Sequence, residues 1–423
     1  MKEIIGLKYI PVRLAVVFIF LLILWGCGRV PQLDEFAPPS ARLPFVRVLL
    51  DETSREHTIS SPDHDEMAVD CYKGEKRISY YSRKPILIKA EDNKLGVFDN
   101  SGRTLDYDID EIVISPRSKE LILNHDGKSY RGLMQLAAKS GQITLVNLVH
   151  VEDYLRGVVP LEFGPVGDRQ VEAIKAQAVA ARTYAMGHLG QYTGLEYDLK
   201  SDVTDQVYGG LVAESLPVDS AIALTRGLVE VYKDKMINAY YFSTCGGSTD
   251  DIEDVWDKEA APYLVAVDDD SACGASKYFR WQEKFTGEQI TLRLEQYLSR
   301  ERGDRINVGR LTDVKITSRT PGGRVASIVF ETTAGHYVFN KEKVRWIIRR
   351  SESPDDILRS ANFTIDIDRN SYGEITQVVF DGRGWGHGVG MCQMGAKGLA
   401  TKGMTYDSIL SHYYRGTNLK KLY

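Results

Sequence analysis

The 423-residue chain predicts an α+β fold, and three stretches carry that prediction. Between Pro44 and Leu148 short runs of branched residues alternate with Asp, Asn and Gly turns, the pattern of paired strands. From Gln170 to about Leu189 an Ala-rich stretch holds neither Gly nor Pro before Gly187, the pattern of a helix. Near the end, glycines recur from Gly382 and run into an apolar, helix-like segment through Gly395-Ala396. The expected organisation is a β-rich domain over 45–147 and a mixed α+β domain over 148–423. An inserted α+β subdomain is expected at about 287–368.

The first 44 residues read differently. Lys2, Lys8 and Arg13 precede an apolar run from Leu14 to Trp25, shorter than the roughly 20 residues that span a bilayer as a helix. That is the proportion of a signal-peptide core behind a basic leader. Leu24-Trp25-Gly26-Cys27 looks like a bacterial lipobox, in which Cys27 would carry lipid and become the mature N-terminus. The expectation is a lipoprotein signal at 1–27 and a Pro- and polar-rich tether at 28–44. A plain secretory signal and an uncleaved anchor are the alternatives; all three export the chain to the cell envelope.

Within the β-rich part, Val46–Leu50, Ile86–Ile88, Ile112–Ile114 and Ile143–Leu148 read as strands. Asp99-Asn100-Ser101-Gly102 and His125-Asp126-Gly127 read as turns. Val151–Gly157 reads as one or two helical turns, broken by Val158-Val159-Pro160-Leu161-Glu162-Phe163-Gly164-Pro165. Asp168 can then cap the Ala-rich helix, on which Gln177 and Tyr184 share one face and Lys175 and Arg182 another. Strands are expected at Gly227–Tyr232 and Ile237–Phe242, a helix at Ile290–Ser299, a strand pair around Pro321-Gly322-Gly323, a strand at Ala361–Ile365, and a last helix at Tyr406–Tyr414.

Composition excludes several classes. A formal net charge of −5 without a long single-sign run leaves no electrostatic footprint of a nucleic-acid binder. The glycine loop lacks the Gly-Lys-Ser/Thr and the strand–GxGxxG–helix setting of phosphate cradles. Beyond Cys27 stand Cys71, Cys245, Cys273 and Cys392; in an exported chain they suggest disulfides, with three pairings open. A zinc site drawn from Cys245, Cys273, Cys392 and His387 is the alternative to a Cys245–Cys273 disulfide.

Glu162 is the candidate acid. Between Leu161 and Phe163 its charged form is disfavoured, which raises its pKa and suits it to donate a proton. An ordinary glycosidase needs a second carboxylate. Asp202 and Asp205 are the nearest candidates, but both suit local turn bonding better. One acid suffices where the attacking hydroxyl belongs to the substrate. His387, flanked by glycines, is placed to hydrogen-bond or bind a ligand. Ser243-Thr244-Cys245 could supply a nucleophile with His387 as base, although G-x-S-x-G is absent.

Five motifs in order resemble the stage II sporulation protein D family, also called the SpoIID/LytB domain family. They are Val151-Glu152-Asp153-Tyr154-Leu155 with Val158-Val159-Pro160-Leu161-Glu162; Ala173–Ala185; Asp205-Gln206-Val207-Tyr208-Gly209-Gly210; Phe242-Ser243-Thr244-Cys245-Gly246-Gly247; and the glycine loop through Gly395-Ala396. The resemblance covers most of Leu148–Tyr423 and implies a peptidoglycan lytic transglycosylase. Glu162 would be its catalytic acid, and water would not be consumed. By position it implies substrate contacts from Gln177, Arg182, Tyr184, Ser243, Thr244, His387 and Gln393. It requires no cofactor, leaves a structural zinc open, and allows a non-catalytic alternative: a peptidoglycan-binding activator of a cell-wall amidase. Phe242 departs from a histidine common there in the family, which weakens the case for zinc through that position.

Overall fold

A computed structural model of the protein describes residues 44–118, 121–165 and 167–423. The signal, lipobox, Cys27 and most of the tether lie outside the described residues. The fold is α+β, with strands dominating the first hundred described residues and helices entering after His150.

Two antiparallel sheets form the β-rich part. The larger runs in the order Leu199–Lys200, Phe45–Asp51, Gln142–His150, Leu133–Lys139, Glu111–Pro116, Met67–Lys73, Lys76–Ser82. The smaller runs Lys128–Arg131, Ile122–His125, Glu56–Ser60, Ile86–Glu91, Lys94–Phe98, Thr104–Ile109. Alternation shows at the strand starts: Val46, Val48, Ile143 and Leu145 are buried in one core while Phe45, Arg47, Gln142 and Thr144 are less covered. The expected boundary at 147 falls inside strand Gln142–His150, which leads directly into the first helix. A later strand, Leu199–Lys200, joins the same sheet in parallel with Val48 and Leu49.

Helix α1 spans Val151–Phe163 and corrects the expected break, because Pro160 lies inside it. Proline forfeits one intrahelical bond at a cost of about 3 kcal/mol. Here the buried Val151, Tyr154, Leu155, Val158 and Val159 hold the helix together through that point. Gly164 ends it at φ 68°, a conformation glycine reaches without Cβ strain. Helix α2, Val171–Gly187, is buried on nearly every side, and its six buried alanines let neighbouring elements approach closely.

A second apolar core, centred on Phe285, Ile290, Leu294, Phe330, Phe363 and Phe380, serves the later part of the chain. It is built from helix α3, Gly287–Arg302, and two three-stranded sheets. Thr286 and Gln289 cap α3 reciprocally, at 3.1 and 2.9 Å. The hairpin Leu311–Arg319/Val325–Thr332 turns at Pro321-Gly322-Gly323 as expected.

Helix α4, Gln393–Thr401, and helix α5, Tyr406–Tyr413, pack on α2. The expected strand Ile237–Phe242 contracts to Tyr241–Phe242, which pairs in parallel with Met391–Cys392. The chain ends in a strand that the sequence reading did not include, Asn418–Lys421, paired with Leu228–Tyr232. Among the described residues no helix is long and apolar enough to cross a membrane.

Candidate active site

Glu162 stands in the last turn of α1, part-exposed beside the exposed Leu161. Its Oε1 accepts the Val207 N–H at 2.6 Å. Burial raises its pKa above the usual 4.5, and the Val207 bond recovers part of that rise. Two buried phenols flank it: burial first, and then the Glu162 charge, hold the Tyr154 and Tyr241 hydroxyls far above the usual tyrosine range. Gln206 joins the two, accepting from Tyr154 at 3.0 Å and donating to Tyr241 at 2.8 Å.

The loop carrying Gln206 and Val207 is pinned by its own aspartates. Asp205 accepts four bonds, from Tyr184 Oη (3.1 Å), Tyr192 Oη, Gln191 Nε2 and the Lys200 N–H (2.8 Å each). Asp202 accepts the Thr204 N–H at 2.8 Å in a local turn. Both carboxylates are thus committed to shaping the loop, as their turn-like sequence setting implied.

The glycine loop packs on the strand that carries Tyr241. His387 donates from Nε2 to the Tyr241 carbonyl, and its Nδ1 accepts the Val389 N–H, each at 3.1 Å. Burial lowers its pKa to about 3, and Arg345 and Arg324 add to the fall, so the ring is neutral with both nitrogens engaged. The loop is tight because other groups pass close by: a Cβ at Gly390 would lie 2.1 Å from the Tyr240 carbonyl, and one at Gly388 would lie 2.4 Å from the Arg324 guanidinium. Arg324 forms a buried ion pair with Asp250 and also donates to the Cys245 and Ser248 carbonyls.

Ser243 is part-exposed, and its carbonyl receives the Met394 N–H at 2.9 Å, which sets the start of α4 beside it. Gln393 opens that helix, nearly buried, with its Nε2 unpartnered among the described residues. Thr244 is fully buried, bonded to Ser276 Oγ at 2.8 Å. Lys397, on the same helix, donates to the Phe163 and Pro165 carbonyls at 2.7 and 2.8 Å and so clamps the chain just after Glu162.

Four of the expected substrate contacts are buried in the structure. Arg182 is fully buried; its guanidinium forms a bidentate pair with Glu152 at 2.9 and 2.8 Å and reaches the Leu228 and Ile222 carbonyls. It therefore stands behind the site, ties α2 to α1, and has no donor facing open solvent. Thr244 is walled off in the same way. Gln177 is also fully buried, with both amide atoms unpartnered among the described residues. Tyr184 is nearly buried and supports Asp205 while stacking on His188 at 3.9 Å.

Sequence reading missed Tyr154, Gln206, Tyr241 and Lys397 as site residues. The first three lie within or beside quoted motifs; Lys397 left one signal, a lone charge in the apolar Ala396-Lys397-Gly398 stretch. An open cavity of about 700 Å³ between Trp256, Tyr297 and Lys341 contains neither Glu162 nor the glycine loop, so it does not define this site.

The three later cysteines converge. Cys245, Cys273 and Cys392 are buried free thiols gathered around the Asp269 carboxylate, with donor atoms all within 4.8 Å of one another. Cys71 lies apart, in the β-rich core. Burial pushes the Asp269 carboxyl up to about 7 even though Tyr413 donates to it. His387, engaged at both nitrogens by Tyr241 and Val389, takes no part in this cluster.

Comparison with known proteins points one way. Residues 139–232 match a family model described as stage II sporulation protein, and residues 270–390 match a domain of unknown function, DUF8618. An uncharacterized protein of Brachyspira hyodysenteriae is 34% identical over 295 residues, which is 70% of this chain and 73% of that protein. Stage II sporulation protein D of Bacillus amyloliquefaciens is 32% identical over 296 residues, 65% of this chain and 76% of that protein. A Bacillus subtilis protein named amidase enhancer is 30% identical over 300 residues, 63% of this chain and 40% of that protein.

Proposed function

The chain belongs to the stage II sporulation protein D family, and from that premise we propose that it is a peptidoglycan lytic transglycosylase with Glu162 as general acid and base. Its function is a cell-wall one, exercised outside the cytoplasm. The observation that carries the finer reading is a single carboxylic acid, raised in pKa by burial, fixed by the Val207 N–H and part-open to solvent. The two nearby aspartates are occupied in shaping the adjacent loop.

In this mechanism protonated Glu162 gives its proton to the glycosidic oxygen between N-acetylmuramic acid and N-acetylglucosamine as the C1–O bond breaks. Charge developing at C1 is met by the muramyl C6 hydroxyl. That hydroxyl forms the new C1–O6 bond and returns its proton to Glu162. The product is a 1,6-anhydro ring, and the enzyme ends as it began. A second carboxylate has no task in this sequence. Ser243 and Gln393 retain side-chain capacity to meet a glycan, whereas both His387 nitrogens are engaged. The lipid anchor at Cys27 and the division of the chain at 28–44, 45–147 and 148–423 belong to the same proposal.

The relative named amidase enhancer favours a second reading, in which the chain binds peptidoglycan and activates a cell-wall amidase without cleaving glycan. Digestion of purified peptidoglycan by the full chain and by Glu162→Gln, with products read by mass spectrometry, separates the two. Anhydromuramyl ends from the unaltered protein alone support the transglycosylase. Reducing ends would overturn it in favour of hydrolysis. Intact glycan with binding retained would transfer the assignment to the amidase activator.

A further inference from the structure

Cys245, Cys273, Cys392 and Asp269 come from three separate segments. One follows strand Tyr241–Phe242, one is the 269–273 turn, and one opens α4. All four residues are buried. Cys245 Sγ lies 3.3 Å from Cys273 Sγ and 3.1 Å from Asp269 Oδ2. We propose that these four side chains form a closed, structural site for a divalent cation of the zinc class, with three sulfur ligands and one carboxylate oxygen.

Three features point to a cation. First, Asp269 is 1% exposed, and among the described residues no Lys, Arg or His pairs with it. A buried carboxylate beside three thiols is costly unless positive charge joins it. Second, backbone donors aim at the sulfurs as they do at thiolates. The Cys245 and Gly395 N–H groups reach Cys392 Sγ at 3.1 and 3.2 Å, and the Gly247 N–H reaches Cys245 Sγ at 3.4 Å. Cys392 also sits at the N-terminus of α4, where anions are favoured. Third, the size fits: zinc–sulfur bonds of about 2.3 Å place tetrahedral sulfurs roughly 3.8 Å apart, within the 4.8 Å span of the four donor atoms.

A Cys245–Cys273 disulfide satisfies these facts less well. It would leave the Cys392 thiol and the Asp269 carboxylate buried against a neutral bridge, with the Gly247 N–H aimed at a disulfide sulfur rather than a thiolate. Tyr413 completes the ion reading: its hydroxyl holds the other Asp269 oxygen and orients the carboxylate from behind. With four protein ligands and no open face the ion would be structural, locking α4 and the Cys245 loop together.

The test is elemental analysis of the full chain purified without chelator, followed by exchange into cobalt(II). The expected result is one zinc per chain, resistant to dialysis, and cobalt spectra with thiolate charge-transfer bands and intense visible bands of tetrahedral geometry. Asp269→Asn should remain folded and hold far less metal. Asp269→Cys should restore one equivalent with a spectrum shifted toward four thiolates. A Cys245–Cys273 disulfide found by peptide mass spectrometry in zinc-free protein would overturn the proposal, as would free thiols that take up no cobalt.

Discussion

The Glu162 carboxylate and the Val207 amide meet at 2.6 Å, joining the end of α1 to a loop 45 residues later in the chain. This contact sets both the position and the acidity of Glu162. Burial raises its pKa, while the N–H bond favours the charged form and limits the rise.

Glycan cleavage should therefore follow the protonated form of Glu162. Activity is expected to be fullest at acidic pH and to fall as pH rises through a pKa above the ordinary 4.5 of glutamate. A kcat/KM profile for a soluble muropeptide chain checks this. A profile falling at or below the ordinary value would remove burial as the tuning force. Glu162→Gln should lose about 100- to 10,000-fold in turnover, the usual worth of general acid–base catalysis.

The same shift has a stability consequence of the same pH sense. A carboxyl whose folded pKa exceeds its unfolded value contributes fully below the unfolded pKa, and that contribution is lost as pH rises through the folded value. At neutral pH the buried Glu162 charge weakens the fold. Glu162→Gln, whose amide oxygen can still accept from Val207, should melt at a higher temperature than the unaltered protein at pH 7. The gap should close below pH ~4.5. Paired calorimetric scans at the two pH values decide it.

Arg182 illustrates a residue whose type was informative but whose task was not. Its pair with Glu152 is buried, so removing the guanidinium leaves a carboxylate whose remaining partners among the described residues are Tyr423 and the Gly227 N–H. Arg182→Met should cost about 3–5 kcal/mol in unfolding free energy, with KM of the folded fraction unchanged. Denaturant titration beside kinetics reads both. A raised KM at full stability would return Arg182 to the substrate.

What the sequence revealed was local. The Ala-rich helix, the hairpin at Pro321-Gly322-Gly323, the strands around Ile112 and Ile143, and the apolar setting of Glu162 all rest on neighbours within a few residues. What it hid was long-range. Helix α1 survives Pro160 because Tyr154 and Val158 are buried against elements far along the chain. The strand Asn418–Lys421 has no apolar alternation and exists because Leu228–Tyr232 presents an open edge. The cysteine reading singled out three thiols that the structure gathers, together with His387, which it does not. Asp269, which completes the cluster, carries no signal in Asp268-Asp269-Asp270.

Lys397 gives the last prediction. It lies 234 residues from Phe163 yet donates to that carbonyl and to Pro165, and its ammonium sits 4.5 Å from the Phe163 ring centroid. These contacts fix the chain on the C-terminal side of Glu162, as the Val207 N–H fixes the carboxylate itself. Lys397→Met keeps the apolar stem and removes the donors, leaving two carbonyls of the Glu162 turn without their ammonium partner. Stability should fall by about 1.5–3 kcal/mol, the range for hydrogen bonds to a charged group. Because the acid would be held less firmly, kcat should drop on the order of 10- to 100-fold while KM stays close to its original value. Loss of stability with kcat unchanged would limit Lys397 to holding the fold; loss of kcat with unchanged KM identifies it as a positioning residue for Glu162.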